Sequence, residues 1–180
     1  MVYVLLGTGF EEIEALTPVD LLRRAGVDVK TVGLNGRTVY GSHGIGVEAD
    51  ITVDELDVQD AEMIVLPGGL GGVASIRGCS KALEAVKAVF DAGRYVAAIC
   101  AGPTVLANLG LLTGVRATCY PGQIPNMKDA QVVENAACVT DGKAITGTSA
   151  GTAVPFALAL IEALKGADAA GVIADQIVIR

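Results

Sequence analysis

The sequence predicts a three-layer α/β/α sandwich around a mostly parallel sheet, in one domain spanning residues 1–180. Three observations carry this expectation. Val2–Leu6, Glu62–Pro67 and Tyr95–Ile99 contain unbroken apolar runs, the pattern of strands buried on both faces. Helical patterns alternate with these runs, as they do in a sheet wrapped by helices on either side. The residues able to do chemistry cluster where the runs end, at the carboxyl edge where open α/β sheets bind ligands. A chain of 180 residues is long enough to bury such a core.

Val2–Leu6 is the first strand and ends in Gly7-Thr-Gly-Phe-Glu-Glu-Ile-Glu14. Gly7, Gly9 and Glu12 begin like a dinucleotide fingerprint. A glutamate stands where a small residue must let helix and strand pack, and it would repel a pyrophosphate. Residues 11–25 read as a helix, with Ala15, Val19 and Leu22 on one face. Pro18 either lies inside it and removes the hydrogen bond to the Glu14 carbonyl, or follows a cap at Thr17 in a later start. Gly26 ends the helix and residues 27–34 form a second strand. Residues 38–40 and 45–47 read as an edge excursion, with His43 in the loop between them. Residues 50–60 are acidic and polar, a surface connection.

The third buried strand, residues 62–67, opens into Gly68-Gly-Leu-Gly-Gly72, read as a loop whose glycines leave backbone N–H groups free to face an oxyanion. Gly69, Gly71 and Ala74 also fit a dinucleotide pattern, but the acidic strand end that should follow is missing. Residues 80–92 form a helix with Leu83, Val86, Val89 and Phe90 inward, and Gly93 closes it. Tyr95–Ile99 is the central strand. Pro103 suits the first position of the next helix, which stops at Gly110. Cys100 therefore lies on the sharp turn between strand and helix, with Ala98 and Gly102 as small neighbours. This is the nucleophile-elbow layout with cysteine in place of serine. Helix N–H groups nearby are expected to favour its thiolate. The alternative is a small buried apolar cysteine.

Residues 115–121 form a short strand leading into a Pro/Gly-rich loop. Further strand pieces at 132–133, 137–139 and 143–146 include a hairpin turn at Asp141-Gly142. The polar loop Gly147–Thr152 starts a long apolar helix to Leu164, and its N–H groups suit an anion. Residues 167–180 add a short helix and a closing strand at Ile177–Ile179.

Composition narrows the function. Hydrophobic residues make up 52% and charged residues 18%, which excludes a disordered chain. A net charge of −7 without a basic cluster, and an aromatic content of 4%, argue against nucleic acid and anionic membrane as partners. Cys79, Cys100, Cys119 and Cys138 stand about twenty residues apart, and His43 is the only histidine, so a zinc site has almost nothing to draw on. Isolated cysteines fit a reducing, cytoplasmic setting. Residues 1–7 lack a basic flank and read as strand rather than leader. Residues 95–115 carry no charge and are long enough to span a bilayer, but their glycines and Pro103 make a buried strand and helix the better reading.

Three loops then meet at one sheet edge: the Glu11–Glu14 turn, the Gly68–Gly72 loop and the Cys100 elbow. They bring a thiol, an acid and two sources of backbone donors, one of them the amide of Ala101. No histidine follows Cys100 to act as its base. That favours aldehyde chemistry or reversible oxidation over peptide cleavage.

Ala98-Ile-Cys-Ala-Gly-Pro103, Glu11-Glu-Ile-Glu14, Pro18-Val-Asp20, Arg23-Arg-Ala-Gly26, Leu66-Pro-Gly-Gly69 and Thr148-Ser-Ala-Gly-Thr152 resemble the ThiJ/PfpI superfamily. The similar branch is that of the parkinsonism-associated deglycase and bacterial YajL-type proteins. The resemblance covers essentially the whole chain. It implies a flavodoxin-like sandwich of the class I glutamine amidotransferase type, a homodimer and no cofactor or metal. It assigns Cys100 as nucleophile, a protonated Glu14 as its partner, and Gly69 and Ala101 as oxyanion donors. His43, Tyr120, Gly68 and Thr148 are expected to line the substrate side. His43 stands where the branch usually has an arginine, and Tyr120 where animal members keep a histidine. Ala101 argues against the protease-type members, which have histidine there. The implied activity is deglycase or glyoxalase chemistry on methylglyoxal- or glyoxal-derived aldehydes and glycated amines. Redox-sensitive chaperoning through Cys100 oxidation is the alternative, and an intracellular cysteine peptidase a third.

Overall fold

The computed structural model describes residues 1–179. β1 (Val2–Leu6) leads into α1 (Glu12–Arg24), then β2 (Val29–Gly33), β3 (Thr38–Tyr40), β4 (Gly46–Glu48) and β5 (Ile51–Thr52). β6 (Met63–Leu66) is followed by α2 (Leu70–Gly78) and α3 (Ser80–Asp91), and β7 (Tyr95–Ile99) by α4 (Pro103–Asn108). β8 (Arg116–Ala117), β9 (Gln131–Val132), β10 (Cys138–Asp141), β11 (Ala144–Gly147), α5 (Ala153–Lys165) and α6 (Ala167–Gln176) complete the described chain.

The main sheet has the order β10-β11-β7-β6-β1-β2-β5, and only β10 runs antiparallel. Numbered along the chain, its five inner parallel strands follow the flavodoxin order 2-1-3-4-5, which opens a crevice at the carboxyl ends of β1 and β6. Each strand divides its side chains between two apolar layers. Val2, Val4, Leu6, Met63, Val65, Ala97 and Ile99 face one layer, with Leu22 of α1, Phe156 and Leu160 of α5 and Ile173 of α6. Tyr3, Leu5, Ile64, Leu66, Val96 and Ala98 face the other, with Ile76 of α2, Val86 and Val89 of α3 and Leu106 of α4. The period-two alternation of strands explains why unbroken apolar runs are needed: both faces are covered.

Several expectations change. α1 starts at Glu12, with Pro18 buried inside it, so the later start at Thr17 is not taken. The acidic first turn and basic last turn, Arg23 and Arg24, both suit the helix dipole. The 68–72 stretch is not all loop, because α2 begins at Leu70. Glycines occur there for close approach: a Cβ at Gly72 would lie 2.7 Å from Phe10 Cα. The acidic 50–60 stretch contains β5, which pairs with β2 at the sheet edge. The 38–40 and 46–48 segments form a separate antiparallel hairpin. The closing strand at 177–179 does not form. Ile177 N–H donates to Ile173 O at 3.1 Å, Ile179 N–H to Ala174 O at 3.1 Å, and β5 and β10 already occupy the sheet edges; Arg180 lies outside the described residues. The uncharged 95–115 stretch is divided between β7 and α4, and among the described residues no helix is long and apolar enough to cross a membrane.

Candidate active site

Cys100 is held at φ 64°, in the left-handed region that a non-glycine residue enters at a cost of about 1–2 kcal/mol. The turn over-determines this conformation. Cys100 N–H donates to Gly147 O at 3.0 Å, its carbonyl accepts from Tyr120 N–H at 2.9 Å, and Gly102 N–H donates to Ile99 O at 2.9 Å. A Cβ at Gly102 would stand 2.6 Å from Leu66 O, so the elbow closes only over glycine. Such a conformation persists because the surrounding turn enforces it, and it makes Cys100 a candidate for chemistry.

The elbow opens into a cavity of about 670 Å³ lined by Glu11, Glu14, His43, Gly69, Cys100, Ala101 and Tyr120, among others. Glu14 is only 1% exposed. Its Oε2 accepts Gly68 N–H at 2.9 Å, and its carboxyl also hydrogen-bonds the Cys100 thiol and the Ala150 N–H. Backbone N–H groups of Ala101 and Gly69 face the sulfur. Burial pushes the Glu14 carboxyl up to about 6, against the hydrogen bonds from Cys100 and Gly68. Burial, then the Glu14 charge and hydrogen bond, push the Cys100 thiol up to about 12.

This corrects the expected helix-favoured thiolate. The two N–H groups do act in that direction, but burial and the carboxyl outweigh them. Because the two groups touch, their ionisations belong to the pair. Between about 6 and about 12 the pair holds one proton and one negative charge, available as a thiolate beside an acid or a thiol beside a base.

The other expected residues divide. His43 and Tyr120 line the cavity. Gly68 stands behind it: a Cβ there would strike the Glu14 carboxyl and lie 2.7 Å from Cys100 Cβ. Thr148, expected on the substrate side, does not line this cavity. Its hydroxyl meets Thr118 Oγ1 at 3.1 Å and donates to Ala136 O, bracing a separate, smaller cleft.

Sequence reasoning missed Glu12 and Ser42. The β3–β4 hairpin is fastened over the β1–α1 loop by Gly9 N–H to Tyr40 O and Ser42 N–H to Phe10 O, both 2.8 Å. This carries His43 onto Glu12, whose carboxylate accepts His43 N–H at 2.8 Å and lies 2.8 Å from Nδ1. Burial acts upward on Glu12, yet the hydrogen bonds led by His43 bring it down to about 2. The same partner raises the His43 imidazole above its usual value. Glu11, Glu12 and His43 bring donor atoms within 4.8 Å of one another. The Nδ1 proton and the Glu12 oxygens are already committed to each other, so the group is a hydrogen-bonded unit. Partners separated by 31 residues across a hairpin leave no spacing signal in the chain.

The DJ-1/PfpI family model matches residues 1–163. Protein dj-1beta of Drosophila melanogaster is 37% identical over 165 residues, covering 91% of this chain and 88% of that protein. A deglycase of Pyrococcus abyssi is 32% identical, covering 91% of this chain and 99% of its own. Among solved structures, oxidized DJ-1 of Toxoplasma gondii superposes with a TM-score of 0.94 at 32% identity, covering 98% and 97% of the two chains.

Proposed function

The chain belongs to the DJ-1/PfpI family, and on that premise we propose that it is a Cys100-dependent enzyme of deglycase or glyoxalase type. Its substrates are methylglyoxal- or glyoxal-derived aldehydes and their amine adducts. One observation carries this reading: a strained elbow sets the Cys100 sulfur in a cavity beside Glu14 and the N–H groups of Ala101 and Gly69. The deglycase name of the Pyrococcus relative agrees with it.

In the proposed reaction the sulfur bonds to the aldehyde carbon. Its proton passes through Glu14 to the carbonyl oxygen, which faces the Gly69 and Ala101 N–H groups while charged. The hemithioacetal C–H proton then moves to the neighbouring carbon, with Glu14 as carrier, giving an α-hydroxy thioester. Water cleaves the C–S bond and releases a hydroxy acid, lactate from methylglyoxal. Cys100→Ala abolishes lactate formation in this account, and undiminished turnover in that variant refutes it.

A second reading, redox sensing with chaperone activity, is favoured by the same donors, which suit the oxygens of a Cys100 sulfinate. In that case mild peroxide adds two oxygens to Cys100 before the other cysteines. We further propose a homodimer, to which exposed Ile13, Tyr40 and Ile45 offer apolar surface; sedimentation as a monomer contradicts it.

A further inference from the structure

The mechanism above lacks a group to activate water, and the Glu12–His43 unit has no part in it. Glu12 is 5% exposed although it opens a surface helix. The hairpin loop is moulded on its carboxylate. Oε1 accepts the His43 backbone N–H, Oε2 meets Nδ1 and accepts Ser42 Oγ at 3.2 Å, and a Cβ at Gly41 would collide with this side chain. Backbone and ring of His43 are thus fixed together.

A carboxylate held ionised only accepts hydrogen bonds, so Nδ1, 2.8 Å from Glu12 Oε2, carries the imidazole proton and Nε2 keeps a free lone pair. The ring lies at the cavity mouth, 68% exposed. Cys100 lines the same cavity. This is the carboxylate–imidazole arrangement that supports nucleophiles in acyl transfer. The chain order hides it because the imidazole comes from the β3–β4 hairpin, ahead of the cysteine.

We propose that His43, oriented by Glu12, is the general base and acid for hydrolysis of the Cys100 thioester. The inference rests on the proposed covalent reaction at Cys100. As water oxygen bonds to the thioester carbon, Nε2 takes the water proton, and the oxyanion faces the Gly69 and Ala101 N–H groups. The C–S bond then breaks, and the imidazolium returns the proton to the Cys100–Glu14 pair. Water is added across one bond, and no oxidant or reductant is required. The groups facing His43 are Glu12, Glu11 at 3.7 Å from Nδ1, Ser42 Oγ at 3.0 Å, and, around the cavity, the Cys100–Glu14 pair and Tyr120.

The test compares wild type, His43→Gln and Glu12→Gln with methylglyoxal, following the Cys100 adduct by intact mass after rapid quenching and lactate in parallel. His43→Gln should form the adduct at the wild-type rate and hydrolyse it about 100-fold more slowly, so that the adduct accumulates. The acid limb of kcat, above pH 6.5 in wild type, should disappear in His43→Gln and move down in Glu12→Gln, and free imidazole should restore part of the loss. Equal turnover and pH profiles in wild type and His43→Gln overturn the proposal. So does an equal slowing of adduct formation and hydrolysis. A wild type that makes lactate without a Cys100 adduct overturns the covalent reading itself, a result separable from normal adduct formation with unchanged hydrolysis.

Discussion

Gly68→Ala tests how tightly the Cys100–Glu14 pair is built. Gly68 lies outside the left-handed region, so alanine carries no backbone penalty and the effect is steric. The new Cβ would strike Glu14 Oε2, lie 2.7 Å from Cys100 Cβ and 3.1 Å from Ile99 O. None of these is the end of a flexible chain with room to swing, because Glu14 is buried and Cys100 is fixed by its turn. Glu14 must leave the 2.9 Å hydrogen bond from Gly68 N–H. Overpacking together with a lost hydrogen bond to an acid costs about 2–4 kcal/mol. For a chain of this length that lowers Tm by roughly 5–15 °C. Displacing the carboxyl also separates it from the sulfur, so lactate formation should fall at least about tenfold. Calorimetry, urea unfolding and a lactate assay read the three quantities. Gly78→Ala is the control: its Cβ meets nothing within 4 Å, and replacing a helical glycine there should stabilise by about 0.5–1 kcal/mol. If Gly68→Ala unfolds within about 0.5 kcal/mol of wild type and keeps full turnover, the described packing is wrong.

Three further outcomes follow, two from the electrostatics and one from Thr148. Burial holds Glu14 near 6 in the fold against an ordinary 4.5, so its contribution to stability is fully present below 4.5 and lost as pH rises through about 6. That is about 2 kcal/mol, to be read as a falling urea midpoint between pH 4.5 and 6.5 that is absent in Glu14→Gln. Glu12 acts with the opposite sign in a lower window, its contribution being lost as pH falls from 4.5 through about 2. Thr148→Val should lose about 1–2 kcal/mol with its two hydrogen bonds while turning over within twofold of wild type, and a tenfold loss of activity would return Thr148 to the substrate side.

The legible parts of this chain are those governed by short-range pattern. Val2–Leu6 and Tyr95–Ile99 read as buried strands because helices cover both faces, and Cys100 reads as an elbow because only small residues flank it. α2 was hidden because Gly71 and Gly72 look like loop, whereas they admit the β1–α1 loop to close contact. β5 was hidden by its acidic surroundings, and Ile177–Ile179 looked like a strand although no sheet edge remained for it. The sulfur environment was misjudged for a similar reason. Helix donors can be inferred from the order of elements, but the depth of burial beside Glu14 depends on contacts 86 residues apart, between the first turn of α1 and the elbow. The Glu12–His43 unit is likewise a product of hairpin docking.

The central claim is that Cys100 and Glu14 share one proton and one charge, and the rate of Cys100 alkylation by iodoacetamide against pH tests it most directly. Wild type should gain reactivity through about pH 6, where the pair loses its first proton. In Glu14→Gln only the sulfur can ionise. The Glu14 charge then no longer pushes the sulfur up, while burial still holds it above the ordinary 9.0, so the limb moves down from about 12 and alkylation at and above pH 7 is at least about tenfold faster than in wild type. Overlapping profiles for the two proteins would contradict the claim.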